Sequence, residues 1–404
     1  MTKKLWNKDF VLLLQGSTIS MIGDLMYSVA IGYWVYQQTG SSSLMGVMSS
    51  ISMFVTMFLS PFTGSIIDKC NRKWVMVGVD LLQSALMITI GVLAYMDKLN
   101  IPGVLFVALV AAFGSVFYSP AVSTLMIDII PRDDMVRGQS IFSGSSSLIS
   151  MVGTAFSGVL VAFFGVPLIV VINGLSNLYS AISELFIHVP KTVQQDEKVT
   201  VKGLLNDYKT AVKDIFTDPC LKLFVPFALL LNLLSAGSFS LILPFCMQKG
   251  FTVDMYGYLM AVWTAASLVS VLLLSIIKLS PKVRFWSMGV GFCLSEAFLV
   301  LAYLSSDFIP MCAFVFVGAF MNSVGNSIFN ASMMLALPEE NRGAILGFVQ
   351  AACTGGMALS TVIYGVLGDI FPLYIIFAIG AIITIPPMIY VFFHRRVKEF
   401  VLTH

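Results

Sequence analysis

Twelve long apolar runs dominate this chain, at about 10–36, 43–67, 74–96, 102–125, 138–163, 165–188, 221–247, 253–277, 284–305, 310–335, 343–368 and 372–393. A bilayer core about 30 Å thick takes roughly 20 mostly apolar residues per helix, so each run is long enough to cross. In lipid the backbone must satisfy its own hydrogen bonds, which leaves only helices and closed barrels. Barrel strands are shorter and alternate polar with apolar residues, a pattern these runs lack. Of 404 residues, 58% are hydrophobic and only 11% charged, against roughly 25% charged in a soluble domain. The expected fold is an all-α membrane protein with 12 transmembrane helices. The first run contains Asp24 and no small-residue cleavage pattern, so it reads as a retained span.

Basic residues orient the spans. Counting loops from an N-terminus carrying Lys3, Lys4 and Lys8, 21 of the 23 Lys and Arg fall on one side, leaving only Lys98 and Lys249 opposite. The positive-inside rule then places both termini in the cytoplasm of a multi-pass cell-membrane protein. Six cysteines (70, 220, 246, 293, 312 and 353) show no paired spacing, so neither a metal site nor a disulfide framework is expected. No cofactor and no nucleic-acid partner are expected either, and the chain is expected to be a monomer.

The chain also repeats itself. PRDDMVRGQSIFSGSSSLISMVGTAFSGVLVAFFGVP (131–167) and PEENRGAILGFVQAACTGGMALSTVIYGVLGDIFP (338–372) both run from Pro through acids to Arg-Gly, a small-residue span, Gly-Val-Leu and a final Pro. Two six-helix halves in parallel orientation are expected, as in transporters built from such repeats, with a substrate site between them. This gives an N-terminal bundle over 1–190, a cytoplasmic linker over 191–220 and a C-terminal bundle over 221–404. In the linker, Val201, Leu204, Leu205, Tyr208, Val212, Ile215 and Phe216 fall at helical spacing, the pattern of a surface amphipathic helix.

Charge concentrates in GSIIDKCNRK (64–73), which holds Asp68, Lys69, Arg72 and Lys73 between two apolar runs. Gly64-x-x-x-Asp68-Lys69-x-Asn71-Arg72-Lys73 resembles the loop signature of the major facilitator superfamily, with Lys69 and Asn71 as mild departures. Ser20-x-x-Gly23-Asp24, Thr39-Gly40-Ser41, Asp80-Leu81-Leu82 and Tyr118-Ser119-Pro120-Ala121 resemble its macrolide-efflux-like branch, a drug:proton antiporter type. The resemblance implies two pseudo-symmetric six-helix bundles working by alternating access. It makes Asp68 a cytoplasmic latch, Gly64 a point of close helix approach, and Arg72 and Lys73 ties to the membrane face. Asp80 and Arg137 join the same gating set. The alternative for Arg72 and Lys73 is that they are orientation charges only.

Ionisable groups inside spans are costly, about 2.5–3.5 kcal/mol at a helix centre on insertion scales, and usually have a partner or a function. Asp24, Glu184 and Glu296 are therefore candidates for proton coupling. Their alternatives are a structural hydrogen bond for Asp24, snorkelling towards the interface for Glu184 and a packing role for Glu296. Gln15, Tyr27, Tyr118, Asn232, Asn326 and Gln350 are candidate cavity residues. Asn322, Asn326 and Asn330 recur every four residues, a spacing equally suited to helix–helix hydrogen bonding.

Acids without bases suit a small amphipathic substrate that is neutral or cationic. The resemblance implies proton-coupled efflux of drug or macrolide type. Uptake of a vitamin-like nutrient such as riboflavin is the alternative, favoured by Gly153-Thr154-Ala155-Phe156-Ser157-Gly158, which lacks the proline common in antiporters of the superfamily. An intramembrane enzyme would need a catalytic set such as His-Glu-x-x-His, which is absent.

Overall fold

The computed structural model describes residues 5–67, 70–131, 134–188, 213, 215–217, 221–277, 279–336, 342–392, 394–395 and 397–399. Among these it is built of helices and contains no strand. In chain order they are α1 (Lys8–Thr39), α2 (Ser42–Ile67), α3 (Arg72–Tyr95), α4 (Ile101–Ile129), α5 (Met135–Leu185), α6 (Leu221–Ser240), α7 (Ile242–Gln248), α8 (Val253–Ile276), α9 (Pro281–Leu304), α10 (Phe308–Ala336), α11 (Arg342–Ile370) and α12 (Leu373–Phe392). Eleven stretches of described helix are long and apolar enough to cross a membrane.

The fifth and sixth expected spans occupy α5, a run of 51 residues. At 1.5 Å per residue an unbroken helix of that length would measure about 76 Å, far more than one crossing. Gly165 breaks it, with φ 74° and ψ 162°, a conformation open essentially to glycine alone. Pro167 follows, and its fixed φ and missing N–H suit the first turn of a new helix.

Local sequence sets the helix starts. Asn100 accepts a hydrogen bond from the Gly103 amide at 2.8 Å with Pro102 just inside α4. Ser280 precedes Pro281 in the same way at α9. Both pairings satisfy or remove amides that a helix start leaves without partners.

The chain divides into two compact units. The first comprises Met1–Thr39 and Val55–Thr200, the second Gly40–Phe54 and Val201–His404. In the first, α5 packs against α1 and α3, over an apolar core including Phe10, Leu13, Met76, Leu125 and Ile129. In the second, α9 packs on α10 and α12, α10 on α8, and α11 on α6. Its core gathers Phe224, Phe227, Phe292, Phe329 and Phe392, with the Phe292 and Phe392 rings stacked at 5.2 Å. The beginning of α2 lies in this unit, beneath the carboxylate of Asp369 at the end of α11. The amphipathic stretch expected in the linker lies outside the described residues apart from 213 and 215–217; Ile215 is buried in the second unit's core.

Candidate functional site: a buried polar stripe in the first unit

The second arm of α5 carries Asn173, Ser176, Asn177, Ser180, Ser183 and Glu184, all buried. At 3.6 residues per turn they form one stripe on an otherwise apolar helix. From Asn173 to Glu184 it extends about 16 Å, at 1.5 Å per residue. α1 approaches this stripe closely: a Cβ on Gly23 would lie 2.2 Å from Ser176 Oγ and 2.6 Å from Asn173 Oδ1. Asn177 Nδ2 donates to Asn173 Oδ1 at 3.1 Å, and both asparagines face the Asp24 carboxyl of α1. Asp24 sits near the midpoint of α1, yet it is exposed.

Towards the other end of the stripe lies Glu184, only 1% exposed. It does not snorkel. Tyr118 of α4 donates its hydroxyl hydrogen to Glu184 Oε1 at 2.8 Å, and the same phenol oxygen lies 3.2 Å from Ser17 Oγ of α1. Asp80 of α3, 2% exposed, interacts electrostatically with Glu184 and with Asp24. Ser180 Oγ points at the Asp80 carboxyl without closing a hydrogen bond, and Asp80 Oδ2 and Glu184 Oε2 are likewise buried without hydrogen-bond partners. Asp24, Asp80, Tyr118 and Glu184, from four places in the sequence, thus form one connected system on α1, α3, α4 and α5. Among the described residues the ion pairs are Arg72–Asp128, His188–Asp9 and Arg395–Glu399, so no base is paired with these acids.

The basic residues of the charged loop have other partners. Arg72 pairs with Asp128 near the end of α4. Lys73 Nζ donates to the carbonyls of Leu185 and Ile187 at 2.7 and 2.9 Å, a cation placed where the end of α5 leaves carbonyls free. Both therefore tie α3 to its neighbours inside the first unit. Gly64 lies in α2, Arg137 is exposed in the first turn of α5, and Asp68 lies outside the described residues.

Other candidates stand apart from this system. Glu296 is buried in α9 of the second unit, in electrostatic reach of Tyr303 and Tyr364. Asn232 Nδ2 donates to Ala228 O of its own helix at 2.8 Å. Asn326 Nδ2 donates to Asn322 Oδ1 at 2.7 Å, so this pair bonds along α10 and not across helices. Gln350 is exposed and Gln15 half-buried, while the Tyr27 hydroxyl is buried without a partner. Among the described residues no cluster of metal-ligating side chains occurs.

The residue pattern of the Major Facilitator Superfamily matches residues 13–294 and 225–401. The chain belongs to this superfamily. Its members are carriers and not enzymes, and the chain is a multi-pass membrane protein with many helices able to span the bilayer. Among similar curated proteins are macrolide efflux protein A of Streptococcus pyogenes, 22% identical over 186 residues, or 46% of each chain, and the putative bacilysin exporter BacE of Bacillus amyloliquefaciens, 25% identical over 215 residues, 51% of this chain and 50% of the other. The chain thus spans about half the length of these relatives. A bacterial homolog of the human lysosomal transporter Spinster shares the fold, with TM-score 0.74, 13% identity and 98% of both chains covered. The nucleoside transporter NupG does so with TM-score 0.71, 13% identity, 96% of this chain and 99% of the other.

Proposed function

We propose that this carrier exports a small amphipathic molecule, neutral or cationic, in exchange for protons, by alternating access and with both termini in the cytoplasm. One observation carries the reading: a connected set of acids inside the spans of the first unit with no base paired to them among the described residues. Charge buried at this depth is expensive, and a reversible proton is the smallest counter-charge that can balance it. The macrolide and bacilysin exporters among the relatives support the direction and the class of cargo. The sequence 153–158, without proline, favours a second reading, uptake of a vitamin-like nutrient such as riboflavin.

Net accumulation of a macrolide and of labelled riboflavin, in a host lacking its own pumps and vitamin carriers, separates the two. Export predicts lower macrolide accumulation, abolished by a protonophore. Higher riboflavin accumulation with the macrolide unchanged would replace the first reading with the second.

A further inference from the structure

We propose that Asp80 and Glu184 form a single proton-holding site, with one hydrogen held in common by the pair and Asp24 as its outer exchange point. The proposal rests on the proton-coupled reading above and assigns that coupling to particular atoms.

Asp80 Oδ2, Glu184 Oε2 and Ser180 Oγ are each buried without a hydrogen-bond partner, and Asp80 neighbours both Ser180 and Glu184. Ionised carboxylates only accept hydrogen bonds, and a buried polar atom without a partner costs about 1–3 kcal/mol. A hydrogen on either carboxyl turns one acceptor into a donor and reduces two like charges to one. Binding is a simple protonation in which hydronium and carboxylate become water and carboxylic acid. No bond to carbon changes, and no electrons are transferred.

The surrounding groups suit this assignment. Tyr118 donates to Glu184 Oε1 and so stabilises the ionised form when the proton leaves. Ser17 in turn contacts the Tyr118 hydroxyl. Among the described residues, the titratable groups that face the pair are Asp24 from α1 and Tyr118 from α4; the nearby Lys73 ammonium is engaged by the Leu185 and Ile187 carbonyls. Between the pair and Asp24 run Ser180, Asn177 and Asn173, side chains able both to donate and to accept. Asp24 is the exposed end of this series, the position that the proposal gives to proton exchange.

Infrared difference spectroscopy of the purified full-length protein in lipid nanodiscs tests the site without any substrate. A pH step in light and heavy water reads protonated carboxyl groups by their C=O stretch and its deuterium shift. The expected result is a band that disappears in the Asp80→Asn/Glu184→Gln double variant and persists in Glu296→Gln. Tyr118→Phe, which keeps the ring, should shift its frequency without removing it. In parallel, melting curves are recorded in sodium and in choline chloride. A band unchanged in the double variant, or one unmoved in Tyr118→Phe, would overturn the proposal. So would a sodium-dependent rise in melting temperature that the double variant abolishes, because the pair would then hold a metal cation. These readouts are independent of cargo. A lost band with no export of any substrate overturns the transport reading alone, and intact export with an unchanged band overturns the site alone.

Discussion

The carboxylate of Asp369 accepts the backbone amide of Ser42 at 2.6 Å, at the first residue of α2. Ser43 adds a second amide at 3.2 Å and Ser41 a hydroxyl at 2.8 Å. A helix start offers free amides and partial positive charge, and here an acid from α11 meets both needs. Removing a cap of this kind costs about 0.5–2 kcal/mol, about a two- to thirtyfold change in the open fraction of the contact. Asp369→Ala should therefore raise the thiol-labelling rate of a Ser43→Cys variant by a factor in that range. An unchanged rate would show that the contact does not hold the first turn of α2.

Arg72 and Asp128 make the second prediction. Their side chains are 17% and 6% exposed, so neutralising one leaves the other poorly solvated. Asp128→Asn should lower stability by about 1.5–3 kcal/mol, the usual net worth of a hydrogen bond to a charged group. A double-mutant cycle with Arg72→Gln, read by thermal melting in detergent, should return a coupling energy well above error. Additive effects would instead favour Arg72 as an orientation charge only.

The contact of α1 with α5 depends on the lack of a side chain at Gly23. Gly23→Ala should destabilise by about 1–3 kcal/mol through overpacking. Gly78→Ala, where an added Cβ meets nothing within 4 Å, is the comparator and should be neutral or slightly stabilising. Equal melting temperatures for the two variants would contradict the close approach.

At Gly165 the difficulty is backbone and not space, since the nearest atom to an added Cβ is 3.9 Å away. Gly165→Ala should still cost about 1–3 kcal/mol, because its dihedrals are sparsely open to other residues. The measurement is again thermal melting, and a variant as stable as the parent would count against a fixed break in α5.

The spans were legible because bilayer thickness dictates their length, and the charged loop because its residues stand out against apolar neighbours. Its partners were not. Nothing near Arg72 in sequence points to Asp128, 56 residues away, since ion pairing is settled by helix packing. The stripe Asn173, Asn177, Ser180 and Glu184 did carry a signal, polar residues at three- and four-residue steps in an apolar span. The full charge of Glu184 stands out in that span, and its neutral neighbours do not. The resemblance places Asp80 in the gating set; in the structure it neighbours Ser180 and Glu184. The periodicity of Asn322 and Asn326 was visible, but the same spacing serves a bond along one helix or between two.

The break at Gly165 also bears on how the chain enters its membrane. No charged residue occurs from Gly138 to Ser183, so the bend between these two spans offers no topogenic charge to the insertion machinery. Arg137 before them and Lys191 after them are the nearest basic signals. Both signals lie at the outer ends of the two spans, so they set the orientation of the pair from its flanks and leave the bend itself unmarked.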